Sequence, residues 1–190
     1  MSDARRIPLS EVNRLDRAAF VARLGHVYEH SPWVAERAWQ ERPFGSIPGL
    51  WSAMQRSVEA AARDEQLALI RAHPELAGKL AIAGELTDAS RAEQSSAGLD
   101  RCTPEEFAQF QALNAGYRRK FEFPFIVAVR GLDRSEILAR LAQRVGNDPA
   151  REFSTCLQEI GRIARFRLED LVADDNASSA RHRSETHDGP

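Results

Sequence analysis

The stretch Leu69–Leu99, LIRAHPELAGKLAIAGELTDASRAEQSSAGL, decides how the rest of the chain is read. An apolar run of helical period ends at His73. Pro74 has no backbone N–H to continue the ladder, and it biases the residue before it away from the helical region. A glycine-containing connection follows, and the pattern predicts that helix resumes near Thr87 to Ser90. There Ser90, Glu93, Gln94 and Ala97 stand at i, i+3, i+4 and i+7, so they share one face. An imidazole at the end of one helix and a Ser/Glu/Gln trio on the next can line one pocket. The same residues also admit a structural reading: Ser90-x-x-Glu93 has the form of a capping box, and a histidine before proline is a common helix end.

Working towards the N-terminus, the pattern is helical from Leu9, with Asp16 as a cap and Phe20, Leu24, Val27 and Tyr28 at helix spacing. Pro32 is expected in the first turn of the next helix behind Ser31 as cap. That helix carries Trp33, Ala35, Ala38 and Trp39 as expected core and stops at Arg42-Pro43-Phe44. Leu50, Met54, Val58 and Ala61 mark another stripe, and Asp64 or Glu65 restarts helix towards His73.

Towards the C-terminus, Thr103-Pro104-Glu105-Glu106 is a helix start: a cap, proline in the first turn, and acids at the positive dipole end. Phe107, Phe110, Leu113 and Tyr117 follow it. Asp133 or Ser135 caps a helix with Ile137, Leu138, Leu141 and Val145 inward and Gly146-Asn147 at its end. Asp148-Pro149 opens the last helix, whose stripe is Phe153, Cys156, Leu157, Ile160, Ile163, Ala164 and Leu171. Arg167 interrupts that stripe. It should therefore meet an anion or a carboxylate, unless its stem packs and its head reaches water.

One segment lacks helical period: Lys120–Gly131, KFEFPFIVAVRG. Its β-branched and aromatic residues predict a short extended piece. Nothing else reads as strand, so its backbone amides need partners from side chains, water or a ligand. A buried connector and a binding segment both remain open. The expected fold is all-α, a single compact domain of roughly eight helices with one short extended loop segment. Residues 1–8 read as an N-terminal extension, 9–172 as the helical domain, and 173–190 as a polar, disordered tail.

Among 190 residues, 43% are hydrophobic and 28% charged, as in an ordinary globule, and the net charge of −2 gives no electrostatic case for nucleic acid or an anionic membrane. Cys102 and Cys156 form neither a zinc spacing nor a C-x-x-C pair, and are expected as buried thiols in a reducing cytosol. The start, MSDARRIPLSEV, lacks an apolar signal core, no run approaches membrane-spanning length, and the end, THDGP, carries no common address signal. A cytoplasmic location is expected. The absence of repeats, a glycine-rich phosphate loop, a metal-ligand cluster or a nucleophile elbow favours chemistry without metal or cofactor.

Five segments together carry a resemblance: YEHSPWVAERAW-x2-RPF, HPELAGK at His73, SRAEQSSAGL at Ser90, EFPFIVAVRG, and IARFRLEDL near the end. Over about residues 9–172 the chain resembles the 2-oxo-4-hydroxy-4-carboxy-5-ureidoimidazoline (OHCU) decarboxylase family, which forms (S)-allantoin in urate degradation. The resemblance implies an all-α enzyme, a carboxy-lyase with a small-molecule substrate and no cofactor. His73 matches the catalytic histidine, implied to transfer a proton, and Glu93 the catalytic glutamate. Substrate contacts are implied at Pro74, Ser90, Arg91, Ala92, Glu93 and Gln94, along the backbone of Phe125, Ile126, Val127, Ala128 and Val129, and at Arg167. Arg165 lies close enough to be confused with Arg167. Glu122 stands where the family's pattern leads one to expect glycine, which puts the geometry of the following loop in question. The resemblance also allows a homodimer, although no contiguous motif marks an interface. Two other readings keep the same residues: a non-catalytic helical binding module for a ureido or imidazoline anion, and a decarboxylase of a related small acid.

Overall fold

The computed structural model describes residues 6–77 and 86–175. The glycine-containing connection after Ala77, most of the N-terminal extension and most of the polar tail lie outside the described residues. The chain divides into two compact units: Met1–Ala61 with Ala164–Pro190, and Ala62–Ile163. Almost all regular structure is helical, with nine α-helices among the described residues.

The first unit holds β1 (Ile7–Pro8), α1 (Leu9–Arg14), α2 (Arg17–Leu24), α3 (Trp33–Ala38), α4 (Ile47–Glu59) and β2 (Val172–Ala173). Asp16 caps α2 as its position predicts, accepting the Ala19 N–H at 2.8 Å. Beyond the end of α2, Val27 and Tyr28 are still buried. In α3, Pro32 itself occupies the cap position, and Ser31 supplies only its carbonyl, to the Val34 N–H at 3.2 Å. The expected tryptophan core is corrected here. Val34, Ala35 and Ala38 are buried, whereas Trp33 and Trp39 are half-exposed. Arg37 and Arg42 lie over those two rings at 4.5 and 4.0 Å, and the Trp39 indole donates to the Leu15 carbonyl at 3.1 Å. An indole with a polar edge and a cation on its face belongs at a rim. On α4, Leu50, Ala53, Met54 and Val58 form the buried stripe, and Ala61 falls past the end of the helix.

A second correction concerns strands. β1 and β2 pair in parallel, Ile7 with Val172 and Pro8 with Ala173. Two residues are too few for alternation to show in a sequence, so pattern reading had no signal.

The second unit holds α5 (Arg63–Ala72), α6 (Asp88–Ser96), α7 (Pro104–Phe121) and α8 (Arg134–Arg144). It also includes the residues up to Ile163 of α9 (Pro149–Leu171), so the boundary between the units falls inside one helix. α5 starts slightly earlier than expected, with Ala62 at the cap position and the Glu65 carboxylate accepting the Ala62 N–H at 3.2 Å. The Thr103/Glu106 capping box forms at 3.2 and 2.9 Å. Asp133, rather than Ser135, caps α8 and accepts the Glu136 N–H at 2.9 Å; Ser135 donates to the same carboxylate.

α7 continues through Lys120 and Phe121, so the non-helical segment is shorter than Lys120–Gly131. It opens on Glu122 at φ +63°, the left-handed C-cap conformation that glycine adopts most easily. The residues that follow are buried but form no strand. Tyr117, Phe121, Phe123, Phe125 and Phe153 interlock there, the Tyr117 and Phe125 rings meeting edge-on at 5.4 Å. Leu138 and Val145 are half-buried, and the inward position at the end of α8 belongs to Arg144. Of the two free thiols only Cys156 is buried; Cys102 is partly exposed. Among the described residues, no helix is long and apolar enough to cross a membrane.

Candidate active site

Pro74 holds His73 in an extended conformation at the C-cap of α5, with φ −75° and ψ 138°. The His73 side chain is buried, and its Nδ1 lies 2.9 Å from the Leu69 carbonyl oxygen. A carbonyl can only accept, so Nδ1 carries a proton; in the neutral form of the ring the lone pair is then on Nε2. The turn after Pro74 brings Ala77 to φ +49°. Three amide side chains hold that turn. Gln94 Oε1 accepts the Ala77 N–H at 3.2 Å, Gln111 donates to the Ala77 carbonyl at 2.9 Å, and Asn114 donates to the Leu76 carbonyl at 2.9 Å. Gln111 and Asn114 stand three residues apart on α7, and Gln94 comes from α6. The Gln94 end of the predicted face and the turn leaving His73 therefore meet.

The capping-box reading of Ser90 and Glu93 does not hold. Thr87 caps α6, its hydroxyl accepting the Ser90 N–H at 3.3 Å, which places Ser90 at the third helical position. Ser90, Gln94 and Ala97 are buried and Glu93 is partly buried, all on the expected face. Arg91 and Ala92 are exposed. Arg91 reaches the Leu86 carbonyl at 3.2 Å and Asp88 at 3.6 Å. Ala77, Leu86, Arg91, Gln94, Leu99 and Phe107 border a cleft of about 600 Å³. Gln94 is 4% exposed, and its Nε2 has no hydrogen-bond partner among the described residues. A buried donor in that condition is costly unless a ligand or water fills it.

The Phe125–Val129 segment finds two side-chain partners for its backbone. Arg144 Nη1 donates to the Ile126 carbonyl at 2.7 Å, and Glu159 Oε2 accepts the Ala128 N–H at 2.9 Å. Arg144 is itself fixed. It grips Glu152 through Nε at 2.8 Å and Nη2 at 2.5 Å, and it lies 4.5 Å from the Phe125 ring centroid. Glu152 also accepts from Asn147 at 2.6 Å and from the Tyr117 hydroxyl. Burial pushes the Cys156 thiol up to about 11, although Tyr117 and Arg144 pull the other way. Burial likewise raises Tyr117 well above the ordinary phenol value.

Sequence reading missed Arg144, Glu152 and Glu159. Their signal was positional: Arg144 follows Leu141 by three residues, and Glu152 and Glu159 flank Cys156 by four and three. Each sits on an apolar stripe, as Arg167 does, and a charge there needs a partner.

Arg167 belongs to the first unit. Its Nη1 donates to Glu29 Oε2 at 2.9 Å, to the Val27 carbonyl at 3.3 Å and to the His26 carbonyl at 3.5 Å. The predicted carboxylate partner is therefore Glu29, and both side chains are buried. Arg165 is exposed and pairs with Glu169 at 2.9 Å. Burial lowers the His26 pKa, Arg167 and Arg23 add to that, and Glu29 opposes it.

Comparison with known proteins follows this geometry. The family model described as OHCU decarboxylase matches residues 13–169. A 2-oxo-4-hydroxy-4-carboxy-5-ureidoimidazoline decarboxylase of Halalkalicoccus jeotgali is 43% identical over 93% of this chain and 98% of its own. One of Haloferax volcanii is 48% identical over 86% of this chain and 95% of its own. A solved structure described as (S)-allantoin synthase superposes with a TM-score of 0.70 at 31% identity, over 87% of this chain. The match spans about half of that longer protein, 54%.

Proposed function

The chain belongs to the OHCU decarboxylase family, and on that premise we propose that it decarboxylates 2-oxo-4-hydroxy-4-carboxy-5-ureidoimidazoline to (S)-allantoin in urate degradation. The substrate's name fixes the chemistry. Ring carbon C4 bears both a hydroxyl and a carboxylate, and the neighbouring C5 is joined by a double bond to ring nitrogen. When the C4–carboxylate bond breaks, its electron pair forms a C4–C5 double bond and the C=N pair moves onto nitrogen, which takes a proton. Protonation of C5 and loss of the C4 hydroxyl proton then give allantoin. The ring is its own electron sink, so the protein must orient the carboxylate and move protons.

The observation that carries this reading is the buried His73 with Nδ1–H committed to Leu69, since that leaves Nε2 as the basic nitrogen. We assign Nε2 the proton exchange with the C4 hydroxyl or C5. Glu93 is assigned to orient that exchange and to hold the hydroxyl. Ser90 and the unpartnered Nε2 of Gln94 suit the polar edge of the ring. Pro74 is assigned to the wall beside His73, and Arg91 and Ala92, both exposed on α6, to its outer edge. Backbone groups of Phe125–Val129 are assigned to carbonyl oxygens, and the planar guanidinium of Arg167 to an anionic or ureido group. On this reading the enzyme works in the cytoplasm, uses no cofactor, requires neither nucleic acid nor membrane, and is compatible with a homodimer.

The test follows carbon dioxide release and allantoin optical activity with freshly generated substrate. Wild type should outpace spontaneous decay and yield one enantiomer, and His73→Ala should lower turnover by roughly 10²–10⁴-fold. Racemic product at the spontaneous rate would support the binding-module reading and sink the enzymatic one.

A further inference from the structure

Two side chains hold the backbone of Phe125–Val129 at alternate residues, and the Val129 carbonyl accepts from the Leu132 N–H at 2.9 Å. The Ile126 carbonyl accepts from Arg144 at 2.7 Å, and the Ala128 N–H donates to Glu159 at 2.9 Å. Both groups belong to alternate residues, 126 and 128. In an extended chain, residues i and i+2 present their N–H and C=O to the same side, and residue i+1 presents its own to the opposite side. On an extended path anchored at 126 and 128, the polar edge of Val127 and the N–H of Val129 would turn away from the Arg144 and Glu159 side chains.

We propose that Glu159 and Arg144 are positioning residues: by holding the Ala128 N–H and the Ile126 carbonyl, they aim the backbone edge of Val127 and the Val129 N–H at the substrate. This rests on the decarboxylase reading above and divides its backbone contacts in two. Ile126 and Ala128 face the anchors, and Val127 and Val129 face the ligand.

Both anchors are rigid enough for the task. Glu159 is buried, and its second oxygen accepts from Arg162 at 2.8 Å, so its charge is balanced locally. Arg144 is clamped between Glu152 and the Phe125 ring. A strip held only by apolar packing could rotate about its length and exchange one edge for the other. Two charged anchors, two residues apart, remove that freedom.

The experiment uses the isotope-labelled full chain titrated with (S)-allantoin, with amide exchange and steady-state kinetics read in parallel. Before ligand, the Ala128 amide should exchange slowly. On titration the Val127 and Val129 amides should shift and gain protection, while Ile126 and Ala128 stay nearly unchanged. Glu159→Gln keeps an acceptor for Ala128 and should hold kcat/KM within a few fold, about 3-fold for the loss of a charge-assisted bond's surplus. Glu159→Ala should lower kcat/KM by about 10- to 100-fold, mainly through KM, with a weaker allantoin shift at Val127.

If Glu159→Ala fails to fold, the wild-type shift pattern and the Gln variant decide the matter. Ligand shifts at Ala128 with Val127 unmoved overturn the proposal, as do wild-type kinetics in a folded Glu159→Ala. Both results leave the decarboxylase reading intact. A wild-type chain that neither turns over the substrate nor binds allantoin overturns that reading and this proposal with it.

Discussion

Arg167 and Glu29 form a salt bridge of 2.9 Å in which both side chains are almost wholly withdrawn from water, at 6% and 2% side-chain exposure. Breaking one partner strands the other charge in a poorly solvating site. Glu29→Ala should therefore destabilise the chain by about 3–5 kcal/mol, far more than loss of a surface pair. Denaturant titration measures this. Arg165→Ala is the control, because its partner Glu169 is exposed, and it should change stability by less than about 1 kcal/mol. Equal effects in the two variants would contradict the burial of the Arg167 pair.

Glu122 occupies a left-handed backbone conformation, in which a side chain crowds the following carbonyl. Glu122→Gly should relieve that crowding and stabilise the chain by about 1 kcal/mol, less the extra freedom glycine gains when unfolded. A urea midpoint shifted upwards without a change in slope is the expected readout. A downward shift would mean that the glutamate contributes something the backbone geometry does not show.

Gln94 ties α6 to the turn leaving His73 through the Ala77 N–H. Gln94→Met leaves that amide without its acceptor and should cost about 1–3 kcal/mol of stability. The other half of the side chain has a separate signature. Its Nε2 lacks a partner among the described residues, so titration with (S)-allantoin should shift the Gln94 side-chain amide resonances. Unmoved resonances at saturating ligand would remove Gln94 from the list of contacts.

The two thiols should behave differently. Cys102 is partly exposed and Cys156 is buried between Tyr117 and Arg144. A thiol-specific chromogenic reagent should titrate one cysteine in the native chain and the second only after unfolding. Because the folded Cys156 pKa is raised to about 11, the folded state holds its proton where the unfolded state releases it. The stability this contributes is fully present below the ordinary thiol value and is lost as pH rises towards about 11. Cys156→Ser should flatten that alkaline loss.

What could be read in advance was local. Asp16, Thr103 and Asp133 cap their helices because a short oxygen-bearing side chain meets an amide three residues on, a relation contained in the sequence itself. Thr87 and Ser90 show the limit. Each has a hydroxyl able to cap, and only the start of the helix decides which one does. The face bearing Ser90, Glu93 and Gln94 was legible from its spacing. The supports beneath Phe125–Val129 were not, because Arg144 and Glu159 reach it from helices far along the chain. A charged residue on an apolar stripe announces that it needs a partner, but not which one. Trp33, which opens α3, and Trp39, just past its end, failed for another reason: size alone suggested core, whereas the indole N–H and a stacked guanidinium hold Trp39 at the rim.

α9 crosses from one compact unit into the other without a break. That boundary is therefore not a loop at which the backbone could be opened without cost. Any cut between Ile163 and Ala164 would open a helix in mid-turn and leave unsatisfied amides and carbonyls on both pieces. Fragmentation at this point should therefore fray α9 on both sides of the cut.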